Sequence, residues 1–338
     1  MDSARRCPLI CYREKAVPGG NIRGVETDLL GAPYERQTFD LGTDAEGPVV
    51  ATLVRRRAEK PDGRAVLYVH GFIDYYFQMN LADFFVEQGI DFYALDLRKH
   101  GRSLLPHQTP NFCQDVRDFY PELDEAVRVI REVDGHDRLL VNGHSTGCLI
   151  TALWAHDRRE AGVVDAMFFN SPFFDMNATR VAKTVLTPIA LVMGRVRPTG
   201  KLMMLNEVHA SSIHRDRYGE WDFNLEWKPL PGFPVRFGWV RAIHLAQKRL
   251  HAGLDIPVPI LVASSTVSYK RARWSDEARG ADSVLDVDHM AKWTPALGRR
   301  TTLVRIEGGL HDLVLSAEPA RKQTFDELER WMGAYFSA

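Results

Sequence analysis

The chain has 338 residues, 45% of them hydrophobic and 26% charged, with a formal net charge of -1. That is globular composition, and enough chain for one large α/β domain with an insertion or for two smaller domains. The near-zero charge sets up no whole-molecule field for nucleic acid or an anionic membrane surface, and no run approaches the roughly 20 apolar residues of a membrane span.

Residues 1–30 are polar, rich in glycine and charge, and read as an N-terminal arm. Its opening, "MDSARRCPLICYREK", has an apolar stretch broken by Pro8 and ended by Arg13, too short for a signal-peptide core. Two extended segments follow, "YERQTFDL" and "VVATLVRRR", separated by the turn-like "GTDAEGP"; this is a hairpin pattern. The basic cluster Arg55-Arg56-Arg57 at its end, like Arg299-Arg300 later, reads as a solvated strand end or loop.

Strand and helix then alternate. "AVLYV" is a continuous apolar run, as in a strand buried on both faces. "QMNLADFFVEQG" is an amphipathic helix ended by Gly89, and "IDFYALD" the next strand. Between Asp118 and Val133, Phe119, Leu123, Ala126, Val127 and Ile130 recur at helical spacing, with Pro121 tolerated in the first turn. "RLLVN" is a strand, "GCLITALWAHD" a buried helix, and "VDAMFFN" a sixth strand. From Pro172 to Ile256 the alternation stops. It resumes with "PILVAS", "TTLVRIE" and the amphipathic helix "TFDELERWMGAYF". The expected fold is α/β: a mostly parallel eight-stranded sheet with helices on both faces. The expected organisation is an arm at 1–30, a core at 31–171 and 257–338, and a mostly helical cap at 172–256.

Four cysteines (Cys7, Cys11, Cys113, Cys148) are too few and too scattered for a disulfide framework, and Cys7 and Cys11 lack the second ligand pair of a zinc site. They read as reduced thiols of a cytoplasmic protein. There is no H-E-x-x-H, no G-x-G-x-x-G and no Walker loop. Neither a metal nor a cofactor is expected.

Gly143-His144-Ser145-Thr146-Gly147 fits G-x-S-x-G where a strand hands over to a helix. The pattern has a steric basis. Serine sits on a tight, strained turn with its hydroxyl exposed, and the glycines let backbone approach without a Cβ clash. The following helix aims its free N–H groups at the reacting centre.

With "YVHGF" after the third strand, "LDLRKHGRS" after the fourth, "GHSTG" after the fifth and "GGLHDL" after the eighth, the chain resembles the α/β-hydrolase superfamily. Within it, the chain is most similar to the monoacylglycerol lipase and lysophospholipase-like branch, of serine aminopeptidase S33 type. The resemblance implies a nucleophile, acid and base in the order Ser, Asp, His. It makes Ser145 the nucleophile and His311, behind Gly308-Gly309, the base. For the acid, "ADSVLD" selects Asp282; Asp286 and Asp288 are the alternatives, Asp276 a weaker one, and Asp175 after the sixth strand an outside candidate. The residues between the seventh strand and Asp282 are more than the family's pattern has. The oxyanion hole falls to the backbone N–H groups of Phe72 and Thr146. His70 belongs to the oxyanion-loop motif, and Asp96, Arg98, Gly101 and Ser103 read as structural support for that loop.

The cap carries Met193, Met203, Met204, Trp221, Phe223, Trp227, Phe233, Phe237 and Trp239. Most such residues pack a cap onto its core, but together they suggest an apolar wall for an acyl chain, with His144, Tyr75, Tyr76 and Phe77 joining it. The expected function is a serine hydrolase acting on a small-molecule carboxylic ester with an apolar acyl group. Monoacylglycerols and lysophospholipids are the substrates that the resemblance implies. An aminopeptidase or amidase would need a carboxylate cluster for a free amine, and Glu207, Glu220, Asp222 and Glu226 are the candidates. A non-catalytic binding protein of the same fold would have lost the serine or the histidine, and both are present. Dehalogenase chemistry needs an aspartate where Ser145 stands.

Overall fold

The hairpin expected near the N-terminus forms from β2 (Glu35–Asp44) and β3 (Gly47–Arg56), and both strands run further into the turn than their apolar pattern suggested. In this computed structural model residues 24–177 and 180–338 are described, with side chains for all of these but 180–187. Most of the expected arm, with Cys7 and Cys11, lies outside the described residues. Its end supplies β1 (Glu26–Thr27), which pairs antiparallel with β2.

The alternating units follow as β4 (Arg64–Val69), α1 (Met79–Val86), β5 (Asp91–Asp96), α2 (Tyr120–Arg128), β6 (Arg138–His144), α3 (Thr146–Asp157) and β7 (Ala166–Asn170). The inserted segment holds α4 (Arg180–Val196), β8 (Lys201–Met203), α5 (Val208–Ile213), β9 (Val235–Arg236) and α6 (Phe237–His251). After it come β10 (Ile260–Ser265), α7 (Val287–Trp293), β11 (Thr301–Ile306) and α8 (Glu318–Tyr335). Among its described residues the regular structure is mainly these helices with a short β8–β9 ribbon, and about half of the residues lie in neither.

The main sheet has nine strands in the order β1-β2-β3-β5-β4-β6-β7-β10-β11. From β5 to β11 the neighbours are parallel, and the first three strands are antiparallel. The sheet therefore has one strand more than the eight expected. The addition is β1, whose two residues are too few to show an alternation.

Period-two alternation splits the core across the sheet. On β4, Ala65, Leu67 and Val69 face one apolar cluster, with residues of α2, α3 and α6. Val66 and Tyr68 face the other, with residues of α1 and α8. Helices thus cover both faces. Ten of the twelve residues of α3 are buried, because this helix is enclosed between the sheet and α6 and is apolar on every side. Cys113 and Cys148 are buried free thiols. No helix among the described residues is long and apolar enough to cross a membrane.

Candidate active site

Ser145 stands between the end of β6 and the first turn of α3, with a left-handed φ of 52°. For a residue other than glycine such a conformation costs about 1–3 kcal/mol and needs surroundings that over-determine it. They do so through the backbone. The Ser145 N–H donates to Asn170 O at 3.0 Å, and its carbonyl accepts from Cys148 N and Phe173 N, each at 3.1 Å.

The two flanking glycines are required by contact. A Cβ on Gly143 would stand 2.8 Å from Cys148 N, and one on Gly147 would stand 2.5 Å from His70 O and closer still to Val69 O. Gly147→Ala is therefore expected to push α3 off β4 and lower the melting temperature by about 6 °C or more. A thermal melt within about 2 °C of wild type would show that the elbow yields.

His311 lies in the loop after β11, 3% exposed, with Nε2 3.0 Å from Ser145 Oγ. Its Nδ1 donates to Asp282 Oδ2 at 2.8 Å. Asp282 is fully buried, and its Oδ1 accepts the N–H groups of Val284 and Leu285, each at 2.8 Å. Of the carboxylates left open by sequence, this one meets the imidazole. Asp286 caps α7 and pairs with Lys270, Asp288 pairs with Arg305, and the exposed Asp276 pairs with Arg279. Asp175 faces Trp293 and His289.

The extra residues before Asp282 form an excursion whose two ends are bonded together. Tyr269 N donates to Asp282 O at 2.7 Å, and Asp282 N donates to Val267 O at 2.8 Å. The excursion docks α5. Val208 packs with Tyr269, Ala278 and Ala281, and Trp274 Nε1 donates to Ser212 Oγ at 3.1 Å.

The loop after β4 passes so close to the serine that a Cβ on Gly71 would stand 3.0 Å from Ser145 Cβ. Phe72 and Thr146 lie on the two backbones that meet there. Among the described residues, no hydrogen bond takes up either N–H. His70 is a fixed neutral strut: its Nδ1 donates to Gly71 O at 2.8 Å and its Nε2 accepts from Leu97 N at 3.0 Å. Burial holds its pKa below the ordinary histidine value. Beneath the loop, Asp96 accepts from Tyr76 N and from Arg102, whose guanidinium also binds Asp28 at 2.7 Å. Arg102 is thus a strut that the sequence reading passed over.

Three aromatic rings stack in a row, Phe72 on Trp239 of α6 at 4.0 Å and Trp239 on Phe173 at 6.2 Å, and the Phe173 N–H is the one that donates to Ser145 O. The other members of the expected wall divide. Met203 and Met204 are about half exposed on the outer surface. Phe223 packs on Phe77, and Trp227 on Tyr75. Tyr75 and Tyr76 are not in a substrate wall. The Tyr75 hydroxyl accepts from Asn224 N at 2.7 Å, and Tyr76 is fully buried against Tyr68 and Phe92. The bond from Tyr76 N to Asp96 turns that ring into the core.

A second polar cluster, unforeseen from sequence, backs the first. His144 is 3% exposed, with its ring 5.1 Å from that of His311 and its Nδ1 3.2 Å from Asp74 Oδ2. Lys228 of the inserted segment reaches in, Nζ to Asp74 Oδ1 at 2.6 Å. Asp74, His144 and Asp312 each place a ligand-type atom within 4.8 Å of the others, and the Lys228 ammonium supplies a cation on Asp74. Asn170 and Gln78 donate to the Asp312 carboxylate. His209 of α5 sets its ring 5.2 Å from His311, edge-on, and burial with the nearby His311 and Lys228 keeps it well below the ordinary histidine pKa. Neither Lys228 nor His209 belongs to a local motif, so no sequence signal marked them.

Burial opposes a charge on His144, but Asp312 and Asp74 outweigh it, and the pKa is raised above the ordinary 6.5. The stability this confers is complete below the unfolded value and is lost as pH rises through the folded one. His144→Gln is therefore expected to lower the melting temperature most near pH 5.5–6.5, roughly, with the gap closing at higher pH. A gap that widens with pH would show that His144 is neutral in the fold.

The family model of serine aminopeptidase, S33, matches residues 60–269, more than half of the chain. Among solved structures, the chain is similar to a monoacylglycerol lipase of Paleococcus ferrophilus, with a TM-score of 0.62, 17% identity and coverage of 84% of this chain and 99% of that one. It is also similar to a soluble variant of the Saccharomyces cerevisiae monoglyceride lipase, with a TM-score of 0.64, 13% identity and coverage of 88% and 96%. Est1E of Butyrivibrio proteoclasticus, solved with ferulic acid bound, gives a TM-score of 0.56, 15% identity and coverage of 87% and 98%. At these identities the likeness establishes the α/β-hydrolase fold. No curated protein matches.

Proposed function

Since the chain belongs to the serine aminopeptidase S33 family of hydrolases, we propose that it cleaves carboxylic esters with an apolar acyl group, of monoacylglycerol or lysophospholipid kind, through an acyl-enzyme on Ser145. One observation carries the reading: the unbroken chain from Ser145 Oγ through both His311 nitrogens to Asp282, at 3.0 and 2.8 Å. As the Ser145 hydroxyl attacks the acyl carbon, its proton passes to His311 Nε2. Asp282 holds Nδ1–H and stabilises the imidazolium. The N–H groups of Phe72 and Thr146 take the oxyanion. His311 then returns the proton to the leaving alcohol, and a water repeats the sequence to release the acid.

The stacked Phe72, Trp239 and Phe173 support an apolar acyl group, since Phe72 follows the Gly71 that approaches Ser145 and Phe173 N donates to Ser145 O. The two lipases and the ferulic-acid-bound Est1E among the solved neighbours agree with ester chemistry. The aminopeptidase alternative finds less support among the described residues, in the carboxylates that could receive a free amine. Glu207, Glu220, Asp222 and Glu226 are all exposed, with Glu220 paired to Arg321 and Asp222 to Arg215. The buried Asp74 is already bound to Lys228.

The test is hydrolysis of p-nitrophenyl esters across acyl lengths by the full chain. Turnover with a clear optimum at medium or long acyl chains is expected. Folded protein that cleaves no ester, but does cleave aminoacyl p-nitroanilides, would replace this reading with the peptidase one.

A further inference from the structure

We propose that Lys228 is a positioning residue for the oxyanion hole: from the inserted segment, acting through Asp74, it holds Ile73 in a left-handed conformation and so aims the Phe72 N–H at the reacting carbonyl. The inference rests on the serine hydrolase reading above and names a part of its machinery outside the triad.

The argument starts at Ile73. It is β-branched, yet has a φ of 52°, where isoleucine is a genuine outlier. It directly follows the residue expected to donate to the oxyanion. Left to itself, this backbone would relax to a negative φ, turning the Phe72–Ile73 peptide and, through it, the Phe72 backbone that carries the donor N–H. The loop is restrained from the next residue onward, chiefly by the inserted segment. Asp74 is 1% exposed and Lys228 5%, and their ion pair closes at 2.6 Å. The rings of Phe77 and Phe223 flank the ammonium at 5.5 and 5.6 Å, excluding water from it. The other Asp74 oxygen meets His144, the residue before the nucleophile. One carboxylate therefore ties together the loop, the elbow and the inserted segment.

The same stretch of that segment grips the loop on either side of Asp74. Asn224 N donates to the Tyr75 hydroxyl at 2.7 Å. At Gly232 the backbone passes so near Ile73 that a Cβ would stand 3.1 Å from its Cδ1. Lys228 is itself placed by its N–H bond to Asn224 O at 2.9 Å. The hole is thus fully formed only when residues 224–232 are seated. A buried carboxylate that loses its ammonium keeps only the His144 contact and seeks water, and it would carry Ile73 and Phe72 with it.

The test compares Lys228→Met, Lys228→Met with Ile73→Gly, and Asp74→Asn with Lys228→Met, each checked by thermal melt. Glycine accepts a positive φ without strain, so it reduces the need for the clamp. Lys228→Met is expected to lower kcat by about 10- to 100-fold, less than outright removal of an oxyanion donor, with KM within about threefold. Adding Ile73→Gly should recover about tenfold of that loss. Asp74→Asn with Lys228→Met removes both members of the ion pair together, so neither is left buried without the other; the protein is expected to stay folded and to retain the kcat loss. Hydrogen exchange of the amides of residues 72–75 needs no substrate and should quicken about tenfold or more in both Lys228 variants that keep Ile73. An unchanged kcat, a loss confined to KM, or no recovery with Ile73→Gly would overturn the proposal. If wild type cleaves no ester, the hydrolase reading fails separately, and unaltered exchange at residues 72–75 would by itself overturn the clamp.

Discussion

Ser145→Ala is expected to abolish ester hydrolysis, lowering kcat/KM by about 10⁴-fold or more, while the melting temperature stays within about 3 °C of wild type. The two halves of this result have different causes. Activity requires the Oγ that stands 3.0 Å from His311 Nε2, and alanine has no atom there. Stability draws little on that atom. The strained turn is held by three backbone hydrogen bonds, to Asn170, Cys148 and Phe173, and alanine adopts the same φ at nearly the same strain. What is lost is one hydroxyl–imidazole bond, about 1 kcal/mol. Steady-state kinetics on the best p-nitrophenyl ester, with a melt of the same preparation, checks both. Retained activity above roughly a tenth of wild type would mean another nucleophile. A large fall in melting temperature would mean that the side chain, and not the backbone, holds the elbow.

Asp282→Asn is expected to lower kcat by roughly 10³- to 10⁴-fold, and Asp286→Asn and Asp288→Asn by less than about threefold. The carboxylate accepts from His311 Nδ1 at 2.8 Å through one oxygen and from Val284 N and Leu285 N through the other. An asparagine keeps its carbonyl on those two N–H groups and turns its amide toward Nδ1. That NH₂ donates, so Nδ1 must accept and the imidazole proton moves to Nε2. Nε2–H cannot take a proton from Ser145, and the loss falls on the chemical step with little change in binding. Asp286 bonds the first turn of α7 and Lys270, and Asp288 is largely exposed beside Arg305, so neither amide reaches the imidazole. A loss of 10³-fold or more at Asp286, with Asp282→Asn near wild type, would move the orienting role and require the excursion 270–281 to rearrange.

The first half of the fold was legible because each unit announces itself within a few residues. "AVLYV" is a continuous apolar run because both of its faces are covered. Gly143 and Gly147 mark a turn in which backbone meets backbone, and Ser145 between them needed no distant information. His311 is the base that the resemblance implies, from its place in the loop after the last strand. The acid was harder. The residues that set Asp282 apart from Asp286 and Asp288 are His311, together with Val267 and Tyr269, whose bonds to it cross a twelve-residue excursion that no periodicity describes. Tyr75 and Tyr76 were expected beside the substrate because aromatic rings near a catalytic loop suggest a wall. Their contacts with Asn224 and Asp96 turn them elsewhere.

Local pattern sufficed for the sheet and the nucleophile elbow, because periodicity and glycine sterics act over a few residues; the order of serine, acid and histidine is what the resemblance to the α/β-hydrolase superfamily implies. Tertiary packing alone decided which carboxylate meets His311, that Lys228 and His209 come to the site, and that Ile73 is held against its own backbone preference. Those outcomes depend on groups up to 166 residues apart, as Ser145 and His311 are, converging in a space with little water. There a charge must find its partner, and no residue carries that partner's identity in its neighbours along the chain.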